Sequence, residues 1–86
     1  MRFQGAVVKE QGVSFAIVIV KRHVVSNRLE ANRAIAEFQP TFSGLPLVLM
    51  AQDSRGIQTY YGRPDIAKFL SRIPLHRIPW REYTLH

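Results

Sequence analysis

The side chains that could support catalysis are few, and their spacing forms no catalytic pattern. Nucleophilic catalysis needs a hydroxyl or thiol, a base within hydrogen-bond reach, and a third group that orients the base. The chain contains no cysteine, and Ser43, Ser54 and Ser71 do not lie in a nucleophile-elbow sequence. Of the six carboxylates, two lie in predicted hairpin turns and two at predicted helix starts. The sequence therefore predicts no catalytic residue and no cofactor, and we do not expect an enzyme.

Metal ligands are equally sparse. The histidines stand at positions 23, 76 and 86, so no two of them have the spacing that places ligands together on one helix or strand. Without cysteine there is neither a thiolate ligand nor a disulfide, and this composition is typical of a reducing compartment. The sequence predicts no metal site.

Basic residues offer a different chemistry, the binding of anions. The formal net charge is +6, and arginine is the commonest basic residue. A basic surface with aromatic side chains can bind phosphates and stack bases, and Tyr60 or Tyr61 could serve for stacking. The basic residues are spread along the chain, however, and no aromatic pair or GXXG loop of a known RNA-binding module is present. Nucleic-acid binding is therefore the alternative function, with the candidate residues Lys21, Arg22, His23, Arg28, Arg33, Arg55 and Arg63.

Binding to a protein is the favoured function. Residues 13–20 form an apolar strand with two apolar faces, which something must cover on each side. The C-terminal segment contains two Ile-Pro units and the only tryptophan, and Trp and Tyr are enriched at interface hot spots. The indole of Trp80 could instead be a lid on the core. The candidate interface residues are Ile78, Pro79, Trp80 and Tyr60, and the partner is a second copy of the chain or another protein.

Two segments with the same plan must position these residues. Each consists of a strand, a turn that ends in glycine, a second strand and an amphipathic helix. The predicted strands cover residues 3–8, 13–20, 47–51 and 57–61. The first helix begins after Asn27 as N-cap, with Glu30 placed to return a bond to the Asn27 backbone, and the second begins at Pro64.

These elements predict an α+β fold with two layers in the order ββαββα. The strands at 13–20 and 47–51 are expected to be parallel neighbours, because a helix connects them. The sheet then has four mixed strands, and the C-terminal extension could add a fifth. We expect one domain over residues 1–86, with a core over 1–73 and an extended tail over 74–86. If both helices lie on one face, the tail or a second copy must cover the other.

The apolar run at 13–20 is less than half the length of a membrane span. Charged residues interrupt the apolar positions near the start, so we expect no signal peptide. These features favour a cytoplasmic protein that does not enter a membrane.

Two stretches carry a resemblance, GLPLVLMAQDSRG at 44–56 and TYYGRPDIAKFLSRIPL at 59–75. They resemble a family of short uncharacterised bacterial proteins, and this resemblance implies no activity. The order of Pro46, strand, hairpin, Gly62 and helix is also similar to the last third of thioredoxin-like proteins, where the proline is often cis. The chain lacks the Cys-x-x-Cys motif of those proteins, so no catalytic residue is transferred.

Overall fold

The computed structural model describes residues 1–10 and 12–85. Its centre is a mixed five-stranded sheet with the order β4-β3-β2-β1-β5. The sequence predicted four strands. The fifth strand forms because the C-terminal segment pairs antiparallel with β1. This segment is the C-terminal extension that, from the sequence, could add a fifth strand. The strands are β1 (Arg2–Glu10), β2 (Val13–Ile19), β3 (Leu47–Gln52), β4 (Gln58–Tyr61) and β5 (Arg81–Thr84).

Both predicted hairpins are confirmed. β1 and β2 pair antiparallel and are joined through Gly12, whose φ is +78°. β3 and β4 also pair antiparallel, through a turn that ends at Gly56 with a φ of +82°. Glycine suits both positions because it adopts positive φ without a steric cost. The Asp53 carboxylate holds the second turn by accepting bonds from the backbone N–H groups of Arg55 and Ile57, at 2.8 and 2.9 Å.

The expected parallel pairing of β2 with β3 is also confirmed. The connection between them contains two helices, α1 (Arg22–Val25) and α2 (Arg28–Phe38). The sequence predicts only the second, with a strand that ends at residue 20 and no helix before Asn27. Asn27 caps α2 as predicted, since its side chain accepts a bond from the Glu30 N–H at 3.1 Å. The Glu30 carboxylate does not return to Asn27; it lies 2.9 Å from Nδ1 of His23.

The two long helices lie on opposite faces of the sheet, so the two-layer ββαββα prediction is wrong. α2 covers one face, where the buried side chains include Phe3, Val18 and Phe38. The helix α3 (Pro64–Leu70) covers the other, where they include Phe15, Ile17 and Leu70. The two faces are called the α2 side and the α3 side below. A strand with two apolar faces requires a cover on each, and the chain provides both covers itself.

The C-terminal segment completes the α3 side. Pro74 precedes one turn of 3-10 helix at Leu75–Arg77, so the tail is not extended throughout. Ile78 is 5% exposed and belongs to the buried cluster of the α3 side. Residues 74–85 therefore contribute both a core side chain and an edge strand.

The peptide bond before Pro46 is trans, unlike the cis bond that is frequent at this place in thioredoxin-like proteins. Among the helices of residues 1–10 and 12–85, none is long and apolar enough to cross a membrane.

Candidate interaction surfaces

The predicted interface residues all lie on or beside the α3 side, but they do not form one patch. Tyr60 is half-buried on the edge strand β4, where burial raises the pKa of its hydroxyl above the ordinary value. Trp80 directly precedes β5, at the opposite edge of the sheet. Three strands therefore separate the two aromatic side chains. Pro79, next to Trp80, is exposed.

Trp80 and Ile78 serve the core. The indole packs against the cluster of the α3 side, and its Nε1–H donates to the carbonyl oxygen of Leu75 at 3.1 Å. This bond satisfies the only polar atom of the indole within its own segment. Ile78 is buried and is not available to a partner. Two of the predicted interface residues therefore hold the C-terminal segment against the sheet instead.

The structure does not bring the seven predicted nucleic-acid residues together. Lys21, Arg22, His23 and Arg28 lie around α1 and the start of α2, at the end of the sheet where the parallel strands β2 and β3 finish. Arg55 lies in the β3–β4 turn at that same end. Arg63 lies beyond the other end of β4. Arg33 is exposed on α2.

Three of these seven side chains are also engaged in ion pairs, and one of them is Arg55, whose guanidinium lies 3.8 Å from the carboxylate of Asp53. The Arg63 guanidinium donates to both oxygens of Asp65, at 2.8 and 3.3 Å. This bond is the main reason that the pKa of Asp65 lies below its ordinary value. His23 is hydrogen-bonded to Glu30.

Tyr60 and Tyr61 point to opposite faces, as strand geometry predicts. Tyr61 packs on the α2 side, where its hydroxyl donates to Oδ1 of Asn32 at 2.9 Å. This contact ties β4 to the first half of α2. Both rings are half-buried, so neither presents a full face for base stacking.

A groove with a mainly apolar lining lies on the α2 side. Its volume is about 470 Å³, and it runs between the start of β1, the end of β2, and helices α1 and α2. The apolar lining is Met1, Phe3, Ile19, Val20, Val24, Ala34 and Phe38. The charged lining is Arg2, Lys21 and Glu37. The rim therefore carries both signs of charge.

Two features of this groove suit it to binding a macromolecule. Met1 is 65% exposed, so it forms a projecting apolar side chain beside the apolar floor. Lys21 and Glu37 are exposed and form no ion pair within the described residues of one copy. Arg2, by contrast, lies 3.6 Å from Glu82. Sequence reasoning missed the groove because Phe3, Val20 and Phe38 have the pattern of ordinary core positions.

Two smaller concavities lie along α3. One has a volume of about 240 Å³ between this helix and the β1–β2 hairpin, with Val13, Phe15, Ile66 and Phe69 among its lining. The other, of about 450 Å³, lies along the helix surface, and its lining is Asp65, Lys68, Phe69, Arg72 and Ile73.

The charges are distributed unevenly between the two helical layers. Residues 21–38, on the α2 side, contain four basic and two acidic side chains. Residues 63–80, on the α3 side, contain four basic side chains and one acid, Asp65, which Arg63 already neutralises. Lys68, Arg72 and Arg77 remain without an ion pair in the described part of the chain. A charge count by segment would have found this excess in the sequence.

No group of three or more metal-ligating side chains occurs within residues 1–10 and 12–85. Comparisons of the chain with protein-family models, with curated proteins and with solved structures found no match.

Proposed function

We propose that this protein is a small non-catalytic binding module and that its partner is a second copy of itself. The observation that carries the proposal is the apolar groove on the α2 side, whose rim bears exposed charges of both signs. A surface that contains both a projecting apolar residue and an apolar groove can pair with an identical surface around a two-fold axis. Met1 of each copy would then occupy the groove of the other.

The rim charges support the same arrangement. In a two-fold pair, each contact between residue i and residue j occurs twice. Lys21 of one copy can therefore approach Glu37 of the other, and the reverse contact forms by symmetry. Because both side chains are free of ion pairs within one described copy, neither must break a bond to do so.

The size of the molecule permits such an interface. A stable complex buries about 800 Å² on each partner. One copy exposes 5876 Å², so the interface would take roughly one-seventh of this surface. Sheet-face pairing, the arrangement that the apolar strand at 13–20 first suggested, loses its basis because both faces are covered within one chain.

Sedimentation equilibrium over a concentration series tests the proposal. We expect a monomer–dimer equilibrium that persists at high salt, because the floor of the groove is apolar. Lys21→Glu places two carboxylates opposite each other at both symmetric contacts with Glu37, and Glu37→Lys places two lysines there. With about 0.2–1 kcal/mol per exposed pair, each change should weaken dimerisation by roughly tenfold or more.

A mixture of the two variants gives the sharper result. In a heterodimer of Lys21→Glu with Glu37→Lys, both contacts join opposite charges in place of repulsion, so the mixture should dimerise more tightly than either variant alone. Arg33→Glu is the matched control, because Arg33 is exposed on α2 and does not line the groove. A monomer at every concentration, or equal effects of Lys21→Glu and Arg33→Glu, would contradict the proposal.

A further inference from the structure

The surface of the α3 side carries a set of cations that self-association leaves free. Lys68 and Arg72 are four residues apart at and just after the end of α3, and both line the depression of about 450 Å³. Arg77 follows in the 3-10 helix of the same layer and is exposed. These three residues are called the α3 cation surface below. They face away from the groove, because the sheet lies between the two sides.

No carboxylate of the described residues forms an ion pair with these cations, so all three are available to bind phosphates. Asp65 lines the depression, but the guanidinium of Arg63 binds both of its oxygens. A second acid, Glu10, lines the neighbouring concavity of about 240 Å³ and does not line the depression itself. Lys68 lies in the last turn of α3 and Arg72 follows the helix, yet both line the one depression. Neighbouring phosphates of one strand can therefore contact both side chains there.

An aromatic residue, Phe69, lies between the two cations in sequence. Phe69 is half-buried, lines the same depression, and is held from below by an edge-to-face contact with Phe15 at 6.1 Å between ring centroids. Single-stranded nucleic acids bind to grooves that combine cations with aromatic side chains, because phosphates and base rings are contacted together. Arginine adds planar donors that match phosphate geometry.

A lipid surface fits these observations less well. Membrane-surface binding uses apolar side chains that project from a basic face into the acyl region. The large exposed apolar residues are Met1, Val13, Leu29 and Ile57. Val13 lines the concavity between α3 and the β1–β2 hairpin, but none of the four lines the depression that holds Lys68 and Arg72. We therefore infer that the α3 cation surface, with Phe69 in the depression that Lys68 and Arg72 also line, binds single-stranded nucleic acid without sequence preference.

Fluorescence anisotropy of a labelled oligothymidine, measured with the full chain at several salt concentrations, tests the inference. Three phosphate contacts predict a slope of about −2 in a plot of log affinity against log salt. The affinity should then fall about 20-fold between about 50 and about 200 mM salt. The double variant Arg72→Ala/Arg77→Ala should lower the affinity at low salt and reduce the slope to about −0.7.

Arg28→Ala/Arg33→Ala is the matched control, since it removes two exposed arginines from the α2 side and changes the net charge equally. We expect its slope to stay near about −2. Equal or larger losses in this control would overturn the assignment to α3. Absence of oligothymidine binding at low salt would also overturn it. The inference would also be overturned if poly-glutamate bound as tightly as oligothymidine. Binding to phosphatidylserine vesicles without binding to oligothymidine would overturn it as well.

Discussion

The role of the C-terminal segment can be tested at Ile78. The side chain is 5% exposed and belongs to the same buried cluster as Phe15 and Ile17 of the central strand. If the segment covers the sheet, Ile78→Ala leaves a cavity against that strand. If the segment were instead a free tail that awaits a partner, the same change would cost almost nothing.

The magnitude follows from the atoms removed. Ile78→Ala deletes three carbons, at about 0.8 kcal/mol for each buried methylene-sized group. The residual cavity adds to this transfer term, so we expect a loss of about 3 kcal/mol in the free energy of unfolding. At about 0.05–0.15 kcal/mol per residue, a chain of this length has a total stability of about 4–13 kcal/mol. The substitution therefore removes a quarter or more of the stability, whereas Ile78→Val should cost about 0.5–1.5 kcal/mol.

Urea denaturation at one protein concentration, followed by circular dichroism, measures these differences. Arg77→Ala is the control, because Arg77 is the exposed neighbour of Ile78 and a surface substitution changes stability by about 0.5 kcal/mol or less. The stability of Arg77→Ala also shows whether this substitution leaves the fold intact in the double variant Arg72→Ala/Arg77→Ala of the nucleic-acid experiment. A loss below about 1 kcal/mol for Ile78→Ala, well under the range for buried Ile→Ala changes, would refute the role of the segment as a cover.

Two further predictions concern the close approach of strands and the ion pair at α3. Gly5→Ala should destabilise the fold by about 1–3 kcal/mol in the same urea assay, because a Cβ at Gly5 would lie 2.8 Å from the carbonyl oxygen of Ile17. An unchanged denaturation midpoint would be inconsistent with this close approach of β1 to β2. Arg63→Ala should raise the pKa of Asp65 toward its ordinary value in an NMR titration of the carboxyl group, because the Arg63 hydrogen bond is the main cause of the lowered pKa. Since the folded pKa is lowered, the pair stabilises the fold above the ordinary pKa of aspartate, and this contribution disappears as the pH falls through the lowered value.

Local chemistry made several elements predictable. Gly12 and Gly56 mark turns because their positive φ is costly for other residues, and the Asn27 side chain begins α2 by binding a free N–H group. Alternating direction along a strand also separates Tyr60 from Tyr61. Each of these outcomes depends on interactions within a few residues of the chain.

The candidate surfaces were less predictable. Trp80 and Ile78 have the composition of an interface, yet their contacts place them against the core. Phe3 and Phe38 are far apart in sequence, and their rings lie 4.6 Å apart between centroids in the structure. The groove beside them exists only because β1, the end of β2, and α2 meet there. No local pattern marks such a site.

The two hairpins, the cap of α2 and the parallel pairing of β2 with β3 could all be predicted from the amino-acid sequence. The right-handed crossover rule applies to that parallel connection. No such rule determines the face on which α3 packs after the antiparallel edge strand β4, and the two-layer prediction failed at this point. The side of α3 follows from long-range packing, because β2 has two apolar faces and burial of both requires α2 on one and α3 with Ile78 on the other. That division of the helices also places the apolar groove and the α3 cation surface on opposite sides of the sheet.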